Sequence, residues 1–272
     1  METHTLKVDD INMHWEEAGE GNPVIFLHGI PTSPRLWRHV IPKISPARCL
    51  AWEMVGYGAS ISEGRGRDIS VGRQADYLIS WMQVLGLEKA VLVGHDLGGG
   101  VAQIAAVRHP RRVAGLVLMN AICYDSWPIP EVRIAKVAGS LMKQLPNSIF
   151  KSIFREFISM GHDRPSRVRE SMHEHWPHYA AAGGAADFLH QVQSLDVHDT
   201  LSISDSLPRL NIPARIVWGA ADRFQKIGYG YRLSHDLKCS LTRIEDGKHF
   251  VPEDHPEEVA RTINELLNTE GI

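Results

Sequence analysis

A stretch of ten residues, VLVGHDLGGG at positions 91–100, constrains the fold of this chain more than any other. Its apolar start is typical of a buried strand and ends at Gly94, and three consecutive glycines begin at Gly98. Glycine costs about 1 kcal/mol relative to alanine in a helix, so three of them indicate that the helix packs close to its neighbours. The stretch therefore predicts a strand, a sharp turn that presents Asp96, and a helix held tightly against the strand.

The rest of the chain alternates short β-rich runs with helical patterns. This predicts an α/β fold with a mostly parallel central sheet of about eight strands and helices on both faces. The predicted strands are LKVD (6–9), INMHWEEA (11–18), VIFLH (24–28), RCLAWEM (48–54), AVLVG (90–94), VAGLVLM (113–119), ARIVWG (214–219) and LTRIE (241–245). The first two alternate in polarity, so we expect an antiparallel hairpin at the sheet edge. Apolar residues at helical spacing predict packing helices over 71–85 and 256–268.

The alternation stops between about residues 124 and 207, where proline-flanked helical segments follow one another. These segments are 131–145, 147–161, 165–176 and 185–195. An all-helical insertion must rest its apolar face on something, and the loop-bearing edge of the sheet is available. The predicted organisation is a core in two parts, 1–123 and 208–272, with a helical cap at 124–207.

The composition excludes several classes of protein. With 29 basic and 32 acidic residues, the net charge of -3 builds no field that would recruit nucleic acid or a membrane surface. No apolar run approaches the roughly 20 residues needed to span a bilayer, and the start METHTLKVDD lacks the pattern of a signal peptide. Three scattered cysteines predict reduced thiols. We expect a cytoplasmic protein, either a monomer or a homodimer.

No cofactor or metal is expected. The histidines of HEHWPHY (173–179) have spacings that do not converge on one helical face, and no acidic partner pattern accompanies them. The glycine-containing loops at 56–58 and 64–67 open onto neither a dinucleotide nor a Walker pattern.

Two further polar residues follow predicted strands at the edge where α/β enzymes keep their sites. Asp222 comes after ARIVWG and His249 comes after LTRIE, while the loop His28-Gly29-Ile30-Pro31 follows VIFLH. With Asp96, this order of motifs resembles the α/β-hydrolases over nearly the whole chain. Within them it resembles the aspartate-nucleophile branch that holds epoxide hydrolases and haloalkane dehalogenases.

The resemblance implies a role for each position. Asp96 would be the nucleophile, Asp222 the acid that orients the histidine, and His249 the base that activates water; the backbone amides of Ile30 and Leu97 would form the oxyanion hole. A carboxylate is already ionised at neutral pH and can displace a leaving group from saturated carbon, which gives an alkyl ester of the enzyme.

Alternatives remain open at each of these positions. Asp96 can be an ordinary helix cap, and His255, six residues after His249, can be the histidine of the site. Some dehalogenases of this branch place their acid after the strand that corresponds to VAGLVLM, where this chain has Asn120. An amide cannot stabilise an imidazolium as a carboxylate does, so Asp222 is preferred.

Epoxide hydrolases and haloalkane dehalogenases differ in the leaving group that their sites must stabilise. Haloalkane dehalogenases commonly clamp the halide with a tryptophan after the nucleophile and an asparagine in the His-Gly loop, where this chain has Leu97 and Ile30. No arginine follows the nucleophile to hold a haloacid. Epoxide opening needs an acid, generally cap tyrosines, and Tyr179 stands well inside the insertion with Tyr124 at its entrance.

An epoxide hydrolase that gives vicinal diols is the preferred interpretation. The alternatives are a haloalkane dehalogenase-like enzyme with an atypical halide site and, less favoured, a non-catalytic hydrolase-fold binding protein. The partners would be water and a small, largely apolar organic substrate. The predicted substrate contacts are His28, Trp127, His175, Trp176 and Tyr179, although Trp176 can instead anchor the cap by packing.

Overall fold

The computed structural model describes residues 1–137, 139, 143–181 and 183–269. All eight predicted strands are present within a residue or a few of their predicted limits. They are β1 (Glu2–Val8), β2 (Ile11–Ala18), β3 (Pro23–Leu27), β4 (Arg48–Trp52), β5 (Ala90–His95), β6 (Val113–Met119), β7 (Ala214–Gly219) and β8 (Leu241–Ile244). They form one sheet in the order β1-β2-β4-β3-β5-β6-β7-β8. The predicted α/β class with a sheet of about eight strands is confirmed.

The first two strands form the predicted antiparallel hairpin at one edge of the sheet. β2 also pairs antiparallel with β4, whereas all pairings from β4 to β8 are parallel. Because parallel strands end at the same edge of a sheet, the loops after β3, β5, β6, β7 and β8 lie side by side. β5 lies between β3 and β6 near the middle of the sheet and is buried along its whole length.

The central strands separate two hydrophobic cores, one on each face of the sheet. Successive side chains of a strand point to opposite faces. Accordingly, Ile25 and Leu27 of β3 belong to one core, whereas Val24 and Phe26 belong to the other. This explains why the central strands are continuous apolar runs.

The helices cover both faces of the sheet. The α-helices of the described residues are α1 (Val71–Val84), α2 (Leu97–Arg108), α3 (Pro130–Val137), α4 (Asn147–Gly161), α5 (Pro165–His175), α6 (Gly184–Gln193), α7 (His198–Leu201), α8 (Ile227–Asp236), α9 (Val251–Asp254) and α10 (Pro256–Leu267). Residues of α1, α2 and α8 contribute to one core and residues of α10 to the other. None of the helices in the described residues is long and apolar enough to cross a membrane.

The segment between β6 and β7 is helical, without a strand among its described residues. The predicted segments 147–161, 165–176 and 185–195 correspond to α4, α5 and α6; α3 covers the first part of 131–145, and residues 138 and 140–142 of that prediction lie outside the described residues. In α4, Phe150, Phe154 and Ile158 recur every four residues and are buried on one face. The boundaries of the cap at residues 124 and 207 stay a prediction.

Candidate active site

The turn between β5 and α2 brings the strand and the helix into close contact. A Cβ atom added to Gly98 would lie 2.2 Å from the carbonyl oxygen of Leu27, and one added to Gly94 would lie 2.5 Å from the carbonyl oxygen of Gly98. Only glycine fits at both positions. Asp96, between them, has a φ of 51°, a conformation that non-glycine residues rarely adopt. The turn therefore presents the Asp96 side chain above the end of the sheet.

The carboxylate of Asp96 is held by the loop after β3. The backbone N–H of Ile30 donates to Asp96 Oδ2 at 3.0 Å. A hydrogen bond from the backbone N–H of Leu97 also favours the ionised form of this carboxylate. The side chain does not accept the usual capping hydrogen bond from the second or third amide of α2, which argues against the alternative of an ordinary helix cap. Asp96 is buried, but 6% of its surface remains exposed.

The loops after β7 and β8 bring an acid and an imidazole to the same place. His249 Nδ1 and Asp222 Oδ2 are 2.9 Å apart, and His249 Nε2 lies 3.8 Å from Asp96 Oδ1. Phe224 N–H donates to Asp222 Oδ1 at 2.7 Å and Asn120 Nδ2 donates to Asp222 Oδ2 at 2.6 Å. Asn120 therefore supports the acid rather than replacing it.

The competing histidine lies elsewhere. His255 Nε2 is 2.6 Å from Asp163 Oδ2 in a separate ion pair. It does not line the cavity that contains Asp96 and His249. Of the two candidates, the structure brings only His249 close to Asp96.

The ionisation of Asp96 and His249 is coupled. Burial raises the pKa of Asp96 above its usual range, against the influence of His249 and of the Ile30 and Leu97 amides. Burial alone would lower the pKa of His249, but the negative charges of Asp222 and Asp96 outweigh burial and raise it. His249 therefore keeps its proton to a higher pH than an ordinary histidine.

A partly open cavity adjoins these side chains. It is lined by Ile30, Asp96, Leu97, Ile122, Trp127, Pro128, Ile129, Val132, Phe157, Leu195, Phe224, Gln225 and His249. Trp127, a predicted substrate contact, forms part of the wall, but its Nε1–H donates to Thr200 Oγ1 at 2.7 Å. The wall is therefore mostly apolar, as a largely apolar substrate requires.

His28 does not line this cavity, which corrects its prediction as a substrate contact. It is fully buried, its Nε2 accepts from the backbone N–H of Met54 at 3.2 Å, and its Nδ1 lies 3.0 Å from the carbonyl oxygen of Gly29. Burial lowers the pKa of His28 to about 3. A neutral imidazole with both nitrogens engaged holds the loop that carries Ile30.

The three predicted contacts from HEHWPHY also lie outside the cavity wall. His175 faces Ser33 Oγ at 3.2 Å, and Trp176 packs on the rings of Phe150 and Phe154. Tyr179 is fully buried and donates its O–H to Gln191 Oε1 at 2.9 Å. Trp176 and Tyr179 are thus engaged within the helical segment, whereas His175 faces Ser33 and Glu253 outside it; this corrects the prediction for all three.

The sequence analysis did not predict two features in and around the site. Gln225 lines the cavity three residues after Asp222, a position that the loop alone did not distinguish. Behind His249, a buried ionic cluster joins side chains from distant parts of the chain: Arg38, His162, His175, Glu253 and Asp254. Only the fold brings them together. No group of histidine, cysteine, aspartate and glutamate in the described part of the chain is arranged to hold a metal ion.

The fold and the site define a class of enzyme. The model of the alpha/beta hydrolase fold family matches residues 22–157, half of the chain, and the protein belongs to this family. A coelenterazine h 2-monooxygenase from Renilla reniformis is 27% identical over 94% of this chain and 87% of that protein. A haloalkane dehalogenase from Mesorhizobium japonicum is 27% identical over 96% of this chain and 90% of that protein.

A solved structure shares the same architecture. The structure described as epoxide hydrolase CorEH without ligand matches with a TM-score of 0.83 and 23% identity, over 97% of this chain and 98% of that one. The protein is thus an α/β-hydrolase-fold enzyme that is similar in sequence to haloalkane dehalogenases and shares its fold with an epoxide hydrolase.

Proposed function

We propose that this protein hydrolyses epoxides through an ester between the substrate carbon and Asp96. One observation carries the proposal: a carboxylate stands at the tip of the turn after β5, held by the Ile30 amide at 3.0 Å and facing an apolar cavity beside His249. The distance of 3.8 Å between Asp96 Oδ1 and His249 Nε2 exceeds that of a hydrogen bond. The nucleophilic oxygen is therefore free to approach carbon.

In the first half-reaction, an Asp96 oxygen attacks an epoxide carbon and the bond from that carbon to the ring oxygen breaks. The ring oxygen leaves with the electron pair and must take up a proton. Water in the cavity can donate this proton, and the imidazolium of His249, favoured by its raised pKa, can then protonate the hydroxide that is left behind. Tyr179 is not the acid in this scheme, because its O–H is bonded to Gln191.

In the second half-reaction, neutral His249 takes a proton from water, and the hydroxide oxygen attacks the carbonyl carbon of the Asp96 ester. The resulting oxyanion faces the amides of Ile30 and Leu97. The ester C–O bond then breaks, and the departing diol oxygen takes the proton of the newly formed acid. Asp222, at 2.9 Å from Nδ1, keeps the imidazole oriented throughout.

A haloalkane is the second candidate substrate, and the 27% identity with a haloalkane dehalogenase over 96% of the chain favours it. Its leaving halide needs N–H donors rather than a proton. The indole N–H of Trp127 is already engaged by Thr200, and Leu97 and Ile30 offer no side-chain donor. Among the described residues of the wall, only Gln225, His249 and the engaged Trp127 carry a side-chain N–H, so the cavity offers a halide few donors, and we place the epoxide first.

The His249→Gln variant tests the covalent step. We expect it to accumulate an adduct on the peptide that carries Asp96, because the base of the second half-reaction is missing. An epoxide such as styrene oxide adds its whole mass, whereas bromobutane adds its alkyl group without bromine, so mass spectrometry separates the two substrates. The double variant Asp96→Asn, His249→Gln is the control and should stay unmodified.

A single turnover in water enriched in heavy oxygen gives an independent check. If the ester forms, the oxygen that enters the diol comes from Asp96 and the label appears in the Asp96 carboxylate. Label in the diol after one turnover would show direct attack of water on the epoxide and would refute the proposal.

A further inference from the structure

Gln225 lies in the loop after β7, three residues beyond Asp222. It is 2% exposed and lines the same cavity as Asp96 and His249. Its backbone carbonyl accepts a hydrogen bond from Trp218 Nε1 at 2.8 Å, which fixes the loop on the buried strand. The Gln225 side chain is therefore placed by a rigid support and not by a mobile surface loop.

The side-chain oxygen of Gln225 is unsatisfied. Oε1 is buried and has no hydrogen-bond partner among the described residues. A buried acceptor without a donor is destabilising, so such atoms in folded proteins generally meet a water or a ligand. The position of Gln225 in the cavity wall indicates that the missing donor enters through the cavity.

The second half-reaction needs one more acceptor than the catalytic residues provide. The attacking water points one O–H at His249 Nε2 and a lone pair at the ester carbon, which leaves its other O–H without a partner. Once Asp96 is esterified, its carbonyl oxygen faces the amides of Ile30 and Leu97 and is not available. Among the described residues of the wall, Gln225 carries the remaining side-chain acceptor.

We propose that Gln225 Oε1 accepts a hydrogen bond from the hydrolytic water and thereby positions it for attack on the Asp96 ester. The inference rests on the proposed function and assigns Gln225 as a catalytic residue of the second half-reaction alone. A neutral amide suits this role because it accepts a hydrogen bond without competing with His249 for the proton.

The Gln225→Met variant tests the assignment, because methionine has a similar length but no comparable acceptor. With styrene oxide under single-turnover conditions, rapid quenching and mass spectrometry follow the formation and the breakdown of the Asp96 adduct separately. We expect formation to stay close to the wild-type rate and breakdown to slow by about tenfold, the worth of one hydrogen bond. The adduct should then accumulate in the steady state.

The Gln225→Glu variant is the matched control. It restores an acceptor of the same length, so the breakdown rate should recover at high pH. The added negative charge should also raise the pKa of His249 and move the acid limb of the breakdown rate to higher pH. The shift reports only that the new charge lies near His249, whereas a residue with only a structural role would not give the recovery of the breakdown rate.

The outcomes separate this inference from the proposed function. If breakdown in Gln225→Met equals that of the wild type, or if formation and breakdown slow equally, the assignment of Gln225 is overturned. If the His249→Gln protein also forms its adduct, the proposed function survives that failure. Absence of the adduct in His249→Gln would overturn both. Thermal unfolding of each variant shows whether its fold is intact.

Discussion

The protein buries two histidines, each between two carboxylates, in neighbouring regions with different geometry. In the active site, His249 Nδ1 lies 2.9 Å from Asp222 and Nε2 lies 3.8 Å from Asp96. In the ionic cluster behind it, His162 Nδ1 lies 2.9 Å from Asp254 and Nε2 lies 3.2 Å from Glu253. In composition the two triads are nearly the same.

The two histidines differ in the surroundings of their Nε2 atoms. Both carboxylates of the ionic cluster are in close contact with His162, and Glu253 is also paired with Arg38. The side chains of His162, Glu253 and Asp254 are fully buried and away from the catalytic cavity. His249, by contrast, leaves a gap at Nε2 that opens onto the cavity. The reactivity that we propose for His249 therefore goes with one contact that is long and accessible.

The largest expected effect comes from the matched pair Asp222→Asn and Asp254→Asn. Each removes the carboxylate that lies 2.9 Å from Nδ1 of its histidine. We expect Asp222→Asn to lower kcat for epoxide hydrolysis by about 10⁴-fold, because an asparagine no longer holds the imidazole in the required tautomer. Steady-state rates at a temperature where both variants are folded provide the measurement.

Asp254→Asn should change kcat only slightly and should instead lower the unfolding temperature. If both variants lose activity to the same degree, the separation between a reactive and a structural cluster is wrong. Mass spectrometry sharpens the result, since Asp222→Asn should accumulate the Asp96 adduct and Asp254→Asn should not.

The sequence predicted one triad and missed the other for a physical reason. Asp96, Asp222 and His249 each follow a strand, and parallel strands end at one edge, so their proximity follows from the topology. His162 follows helix α4, and its neighbours Glu253 and Asp254 lie in α9; nothing in the local pattern indicates that these two helices meet. The contact between these two helices could therefore not be predicted from the sequence.

The same limit explains the wrong substrate contacts. HEHWPHY concentrates histidine and aromatic side chains, but composition does not reveal which way a helix face turns. In the folded protein, His175 at the end of α5 faces Ser33, and the hydroxyl of Tyr179, which follows α5, faces Gln191. Trp127 lines the cavity as predicted, because it lies close behind the end of β6 and so shares the edge of the sheet.

The next largest effect is expected in the ionic cluster. Glu253→Gln removes the carboxylate that Arg38 and His162 share, so Arg38 keeps only Glu170 and His162 keeps only Asp254 as a carboxylate partner. Breaking one member of such a buried network costs about 3–5 kcal/mol of unfolding free energy. Urea unfolding at neutral pH measures it. A loss within about 0.5 kcal/mol, as is usual for an exposed site, would show that the cluster does not stabilise the fold.

The smallest effect is the pH dependence of stability that the ionic cluster contributes. Burial opposes a charge on His162, but Asp254 and Glu253 outweigh it and raise its pKa from 6.5 to about 9. Because the folded protein binds this proton more tightly, the contribution is complete below pH 6.5 and is lost as the pH rises through about 9. A shift of this size corresponds to about 3 kcal/mol at most.

The His162→Gln variant isolates this contribution. His249 also has a raised pKa and adds a dependence of the same sign, but it is present in both proteins, so the difference between their unfolding free energies belongs to His162. We expect that difference to shrink as the pH rises from 6.5 to about 9. If it stays constant over this interval, His162 is neutral in the fold, and the two histidines differ in charge as well as in geometry.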